Sequence, residues 1–535
     1  MMLNLIILLL MSGPIVAQDN KNTADQQLDL QEFVITGKTN AEIKGGLKMK
    51  PSKPGTLSKA ELDSINTDVK IPVPLLPTVP LPSSALKPYS VQGYVKGEFG
   101  IFVTPNINAG YSFSSGGYAV DIFGNVERSS GHIDNADFTK AGISLRASYD
   151  APKKFVFFGG SRTESGFSYS NKSLQLFGAD KQFVLKRTMN DVGAHVDVKG
   201  IIGDYSYVMG AEWQSLSIET DASTFSDARI KGFADITMPL IGMPITTSLL
   251  VDLHSYGEDS DYNLLQAGAS TIWTSGDITI RGGAGLQSAM NSQGVQFGAV
   301  SLLGDIDYRL SSEFTAYMQI RSGLNNTSLA QMLAINPYLM NNPVISFRRD
   351  DIDIAPMLQW HPSIDLSSSI KISYRSSSNI PVMVPNSLEV GKFAGFDIDY
   401  ISGTLLDMRF ETQWKAWGHS TIGGFASYTY SSQADEDIAI PMIAPLTIGL
   451  RYERMWTSSL QSVFSVEHIG SRTIDIKGQN EIPSYIMANA RLNYTIQKDF
   501  EAYLRIDNIL NASVYLWNRF RERGTFVALG ARYLF

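Results

Sequence analysis

The sequence predicts an all-β fold, a transmembrane antiparallel β-barrel of about 22 strands preceded by a mostly irregular periplasmic N-terminal segment. Three observations predict it. From residue 90 onward, apolar and polar residues alternate in stretch after stretch, the period of a strand with one face on an apolar phase and the other on a wet one. The connections between these stretches sort by parity. Even-numbered ones are mostly tight and odd-numbered ones mostly longer, as short periplasmic turns and longer outer loops require. Finally, no internal apolar run reaches the roughly 20 residues of a membrane helix, yet charged residues are only 18% of the chain, against about 25% in soluble proteins.

The N-terminal region is unlike the rest. Residues 1–16 are apolar, short and terminal, and they read as a signal peptide cleaved after Ala17, although its first residues include no Lys or Arg. Residues 18–89 form the periplasmic N-terminal segment. It is polar at first, then rich in lysine (Lys38, Lys44, Lys48, Lys50, Lys53, Lys59), then rich in proline. Pro72, Pro74, Pro77, Pro80 and Pro82 have no backbone donor, so this stretch is expected to be extended chain, not interior strand. Ser58 and Glu61 are spaced to cap one short helix. The chain has no cysteine, which excludes disulfides, thiolate metal sites and cysteine nucleophiles. A net charge of −8 over 535 residues argues against a nucleic-acid partner.

Residues 90–535 form the barrel. Its candidate strands are 90–103, 105–114, 117–129, 138–149, 153–170, 180–200, 203–220, 226–240, 242–256, 261–273 and 276–290, followed by 294–309, 312–322, 343–361, 364–377, 396–416, 418–432, 444–454, 457–471, 484–496, 499–510 and 523–535. Among the clearest, Ile486, Ala488, Ala490, Leu492, Tyr494 and Ile496 share one face, while Asn489, Arg491, Asn493 and Thr495 take the other. Phe500, Ala502, Leu504 and Ile506 likewise oppose Glu501, Tyr503, Arg505 and Asp507. Leu492, Leu504, Ile448, Ile372 and Met318 are therefore expected on lipid, with Arg491 and Arg505 in a wet lumen. Tight turns are expected at 114–117, 150–153, 200–203, 240–242, 274–276, 310–312, 362–365, 417–418 and 497–499, and longer loops at 129–137, 171–179, 323–342, 378–395, 432–443, 472–483 and 511–522. Trp273, Trp360, Trp414, Trp417 and Trp456 all lie beside the tight turns, where amphipathic rings meet a membrane boundary.

The last strand ends Gly530-Ala-Arg-Tyr533-Leu-Phe535. A glycine, an aromatic two residues before the end and a terminal aromatic resemble the assembly signal of bacterial outer-membrane barrels. Gly530, Tyr533 and Phe535 are thus expected to be shown to the barrel insertion machinery. Residues 482–535 resemble the C-terminus of a TonB-dependent receptor, carried by Pro483-Ser-Tyr485, Arg505-Ile-Asp-Asn508-Ile-Leu510 and Tyr515-Leu-Trp517. Asn336-Pro-Tyr-Leu339 resembles a loop of such barrels. Leu30, Gln31, Glu32, Phe33, Val34, Ile35, Thr36 and Gly37 resemble the acidic-aliphatic Thr-Gly segment near the mature N-terminus of these receptors. The resemblance implies a transport or receptor barrel in a Gram-negative-type outer membrane, with that segment as a candidate contact for a TonB-like periplasmic protein. A strand that adds to a partner's sheet edge, or an irregular tail, is the alternative. The family carries a folded plug between that segment and the first strand. Here only residues 38–89 are available, so the resemblance implies a plug-less relative. No ligand or cofactor residue carries over. The implied partners are outer-membrane lipid, the insertion machinery, and a TonB-like or another periplasmic or surface protein.

Motifs for chemistry are sparse. His132, His195, His254, His361, His419 and His468 are scattered, and no pair has metal-ligand spacing. His132 and His254 fall near outer loop ends, where a barrel hydrolase could keep a base. Arg348-Arg-Asp-Asp351 is the densest charge cluster. Its members alternate between faces, so a rim or lumen ion network is expected. The leading function is an outer-membrane transport or receptor barrel. The alternatives are a non-transporting scaffold that docks a periplasmic or surface partner, and a surface enzyme. A lumen of about 22 strands is wide enough to need occlusion, by residues 18–88, by loop 323–342 or by another protein.

Overall fold

The computed structural model describes residues 92–535, apart from 103, 155–157, 179–183, 222, 241, 258–259, 387–394 and 435–436. The expected signal peptide, the N-terminal segment and the motif at residues 30–37 lie outside the described residues.

The strands are, in chain order, β1 (Gly93–Gly100), β2 (Thr104–Ser115), β3 (Tyr118–Ser129), β4 (Phe138–Asp150), β5 (Arg162–Leu176), β6 (Leu185–Ile202), β7 (Tyr205–Thr220), β8 (Thr224–Leu240), β9 (Met243–Tyr256), β10 (Ser260–Ser275), β11 (Ile278–Met290), β12 (Gln296–Arg309) and β13 (Phe314–Asn325). After helix α1 (Leu329–Ile335) come β14 (Arg348–Ser363), β15 (Leu366–Pro385), β16 (Phe396–Ala416), β17 (Ser420–Gln433), β18 (Leu446–Met455), β19 (Leu460–Ile469), β20 (Arg472–Thr473), β21 (Glu481–Ile482), β22 (Tyr485–Gln497), β23 (Phe500–Asp507), β24 (Tyr515–Trp517), β25 (Phe520–Arg521) and β26 (Phe526–Leu534). Twenty-two of them form one antiparallel sheet, which closes where β26 pairs with β1, from Tyr94 opposite Leu534 to Gly100 opposite Ala528. The pairs β20–β21 and β24–β25 are small hairpins within the long connections.

Closure leaves the sheet no free edge, so its backbone donors and acceptors are paired between strands except at local bulges. The pairing also fixes the faces. Leu492 opposes Leu504, Ile372 opposes Met408 and Met318 opposes Ile306 on the outside, where Leu492, Ile448 and Ile372 are all exposed for lipid. Trp273, Trp360, Trp414, Trp417 and Trp456 are exposed at the end with the tight turns. Two of those turns rest on Gly203 (φ 61) and Gly276 (φ 57), a conformation that side chains with a Cβ rarely adopt.

Several boundaries differ from the sequence expectation. β5 runs on to Leu176, into the expected loop 171–179, and β14 starts at Arg348 and not at 343. Three further differences have a visible cause. β5 starts at Arg162, not near 153, so the fourth connection spans 151–161 and is not tight. Pro152, Phe158 (φ 56) and Gly160 (φ 77) break the strand pattern there. β13 continues to Asn325 through a bulge between Arg321 and Gly323, so the loop after it is 326–347. β15 runs to Pro385, well past 377, across a register shift between Ser377 and Ile380.

Candidate functional site in the lumen

The alternation that puts Leu504 outside puts Glu501, Tyr503, Arg505 and Asp507 inside. The same register brings Lys96 and Glu98 of β1, Arg491 of β22 and Arg532 of β26 onto the same stretch of wall. Arg505 donates to Glu98 Oε1 at 2.8 Å, and the Tyr503 hydroxyl donates to Glu98 Oε2 at 3.0 Å. The Arg491 guanidinium sits 4.0 Å from the Tyr503 ring centre. Glu98 is buried, so this charge is tolerable only because two donors from β23 meet it.

A second network lines β8, β9 and β10. Arg229 donates to both oxygens of Asp252, at 2.7 and 3.0 Å. His254 stacks on Tyr262, with ring centres 3.9 Å apart, and its Nδ1 lies 2.9 Å from Asp227. Its Nε2 lies 3.4 Å from Asp252. Asn326, the first residue beyond β13, donates to Asp252 at 3.1 Å, which ties the wall to the long loop 326–347. On β14, Arg348 and buried Asp350 pair at 2.9 Å, with Ser377 and Asn325 also donating to Asp350, while Arg349 and Asp351 pair on the exposed face. The quartet Arg348-Arg-Asp-Asp351 therefore divides between faces as its alternation requires.

Above these networks the outer mouth is filled from within. Loop 326–347 carries α1, whose N-cap Ser328 and Gln331 form a reciprocal capping box. Leu329, Met332 and Leu333 of α1 are buried in one apolar cluster with the inward Leu174, Leu176, Leu216, Ile218, Tyr262 and Leu264. Trp517 and Phe520, from the β24–β25 hairpin in connection 508–525, join the same cluster, and the Phe520 ring stacks on Tyr338 at 3.7 Å. Side chains of the wall hold the loop backbone. Arg187 donates to Pro337 O and Asn341 Oδ1, both at 2.7 Å, Tyr256 donates to Pro343 O, and Tyr400 donates to Val344 O and accepts from Ser346 N–H. Gln287 accepts from Leu324 N–H and donates to Leu324 O, bracing the base of the loop beside Gly323. Two loops thus make a cap with a packed apolar core of its own. In the cap, burial pushes the Glu522 carboxyl up, against the pull of Arg523, Lys140 and Lys172.

Gly530, Tyr533 and Phe535 all lie at the closing seam, Gly530 inward and Tyr533 and Phe535 outward. His132 sits in loop 130–137 with Nε2 2.8 Å from Arg521 O, and burial pushes its imidazole below the ordinary histidine value. His254 is enclosed by Asp227, Asp252 and Tyr262, so the two histidines belong to separate surroundings. Among the described residues no group of three or more His, Asp or Glu side chains is placed to hold a metal ion. Sequence reasoning missed Arg187, Tyr256 and Tyr400 as holders of the cap, because each acts on a loop far away in the chain. It did single out 323–342 as one of three candidate occluders, beside residues 18–88 and another protein.

Residues 372–509 match the family described as TonB dependent receptor-like, beta-barrel. No curated protein matches the sequence. Among solved structures, the FrpB iron transporter from Neisseria meningitidis is similar with a TM-score of 0.65 at 9% identity, covering 83% of this chain and 81% of that one. The copper transporter OprC gives 0.65 at 9% identity, covering 83% and 80%. The siderophore receptor PirA from Acinetobacter baumannii gives 0.61 at 11% identity, covering 83% and 80%. The closed sheet of 22 strands, the exposed apolar belt and the mostly sorted connections make residues 93–534 a transmembrane β-barrel with the fold of these solved barrels, and its residues 372–509 are similar to the TonB-dependent receptor-like barrel family.

Proposed function

We propose that this protein is an outer-membrane transport or receptor barrel that works without an ordinary plug domain, and that its outer mouth is gated by its own loops. The observation that carries this reading is the cap. Loops 326–347 and 508–525 bury an apolar core inside the mouth, where an unobstructed pore would keep a polar, wet wall. Below the cap the wall is lined with cross-strand ion pairs such as Arg229–Asp252, Arg321–Asp305 and Arg375–Asp353, suited to a hydrated solute. The likeness to an iron transporter, a copper transporter and siderophore receptors supports uptake as the direction of traffic. Only residues 38–89 separate the candidate TonB contact at residues 30–37 from the barrel, which supports the plug-less reading.

Conductance in planar bilayers tests the proposal. The parent should conduct poorly, and a variant with 326–347 replaced by a short Gly-Ser turn should conduct strongly. Removing residues 18–88 as well measures any contribution of the N-terminal segment. A parent as conductive as the loop-replaced variant would make the protein an open porin. Energised uptake further requires that deleting residues 30–37 abolish solute uptake by cells without reducing the amount of assembled barrel.

A further inference from the structure

We propose that the inward face of β4, β5 and β6, just below the cap, is an anion-binding site in which Lys140, Lys172 and Arg187 receive a carboxylate or phosphate group. The inference goes beyond the gating proposal and rests on it only for access from outside.

The strand register carries the argument. Lys140 stands directly opposite Lys172, and Arg187 stands opposite Leu174, one inward position further toward the mouth. Two like charges directly opposed across a strand pair destabilise a sheet unless an anion lies between or beside them. Glu127 meets only part of this need, at 3.5 Å from Lys140. Glu522 of the cap also acts on Lys140 and Lys172, but burial pushes its carboxyl up, toward the neutral form. Among the described residues no carboxylate lies within salt-bridge distance of Lys172 or Arg187.

Arg187 is the second, independent observation. It is fully buried, with 0% exposure. Its hydrogen bonds go to two neutral acceptors of the cap, Pro337 O and Asn341 Oδ1, and its Nε has no hydrogen-bond partner. A buried guanidinium without a counter-charge is costly, and an anion would relieve that cost. The surroundings are apolar, with the Phe138 ring 4.8 Å from Lys140 Nζ and Leu174 and Leu176 alongside, so each charge acts at lower effective dielectric than in open water. An anion on Lys140 and Lys172 would also compete with Pro337 and Asn341 for Arg187. Filling the site thereby removes two of the bonds that hold the cap down.

The test is calorimetric titration of the full chain in an uncharged detergent at low salt, with citrate and inorganic phosphate as separate probes. At least one should bind saturably, with affinity falling as salt is added. The double variant Lys140→Gln/Lys172→Gln should weaken binding by about tenfold or more. Arg187→Gln should weaken it too and make 326–347 more sensitive to protease. Lys371→Gln, on the inward face of β15, should leave it unchanged. Heat-modifiable gel mobility would establish that each variant is an assembled barrel. Failure of both anions to saturate would overturn the proposal, as would parent-like binding by the assembled double variant. So would an equal loss in Lys371→Gln, which would mean diffuse attraction to the lumen. Binding is measured without any current, so a failed titration leaves the conductance result standing, and a failed conductance test leaves the titration standing.

Discussion

Tyr503 packs its ring against Gly530 across the strand pair next to the barrel's closing seam. The two residues are in register, and a Cβ built on Gly530 would overlap the Cζ and hydroxyl end of the Tyr503 ring. The ring placed there sends its hydroxyl to Glu98 on β1, so one glycine lets β23, β26 and β1 share a single buried contact. Gly530→Val should displace the ring and cost about 1–3 kcal/mol. Tyr503→Phe, which keeps the ring and loses a hydrogen bond to a buried carboxylate, should cost about 1.5–3 kcal/mol. Urea unfolding followed by tryptophan fluorescence measures both. A Gly530→Val barrel as stable as the parent would mean that the ring contact is not what the glycine secures.

Phe535 should matter to assembly for a related reason. Its N–H and C=O both pair with Gly93 at 2.9 Å, and a Cβ on Gly93 would come within 2.6 Å of its ring. Deleting Phe535 should leave protease-sensitive protein in the periplasm, as the assembly-signal reading expects. Fractionation that finds normal amounts in the outer membrane would reduce the terminal motif to coincidence.

Leu504 lies on the lipid face and Arg491 on the lumen face. Leu504→Arg should cost about 2–4 kcal/mol if the site is near the bilayer midplane. Arg491→Gln should cost less, because it exchanges one wet polar group for another. Arg505→Gln should be worse than Arg491→Gln, since it strips buried Glu98 of a charged donor. If Leu504→Arg resists denaturation like the parent, the strand register is off by one residue.

Met332 is 1% exposed within the cap core. Met332→Asp places a charge there with no partner, so α1 should leave the mouth while the barrel persists. Single-channel recording should show longer and larger openings, with the heat-modifiable gel shift of the parent intact. Unchanged conductance would mean that the cap core is not what closes the pore.

Asp475, in the connection between β20 and β21, gives a pH dependence. Burial alone would raise its carboxyl, but the Asn480 side chain and the N–H groups of Gln479, Asn480 and Lys477 hold it below the ordinary carboxylate value. A group depressed in the folded state contributes order above its unfolded value, and that contribution is lost as pH falls through its folded value. Amide exchange in 475–480 should therefore speed up below about pH 4 relative to its intrinsic rate. Asp475→Asn should abolish the pH dependence, and a parent flat over that range would overturn the assignment.

The sequence by itself determined the barrel. Leu492, Leu504, Ile448, Ile372 and Met318 fall where their alternation puts them, and all 22 candidate strands recur as strands of the closed sheet. The reason is local. Lipid on one side and water on the other impose a period of two on every strand, and short turns keep that period in phase from one strand to the next. Where the period lapses, prediction lapsed with it, as at Pro152 and the late start of β5. The cap was decided only by tertiary structure. Leu329, Met332 and Leu333 are, in sequence, one apolar turn in a long loop. Nothing beside them announces Leu216, Tyr262 or Trp517, and Arg187 reaches Pro337 across 150 positions of chain. A loop that packs inside a barrel obeys no strand period, so its partners come from the geometry of closure. The lumen networks fall between these cases. The faces of Arg491 and Arg505 were legible from alternation, but which charges would meet, such as Arg505 and Glu98, depended on the registers between strands.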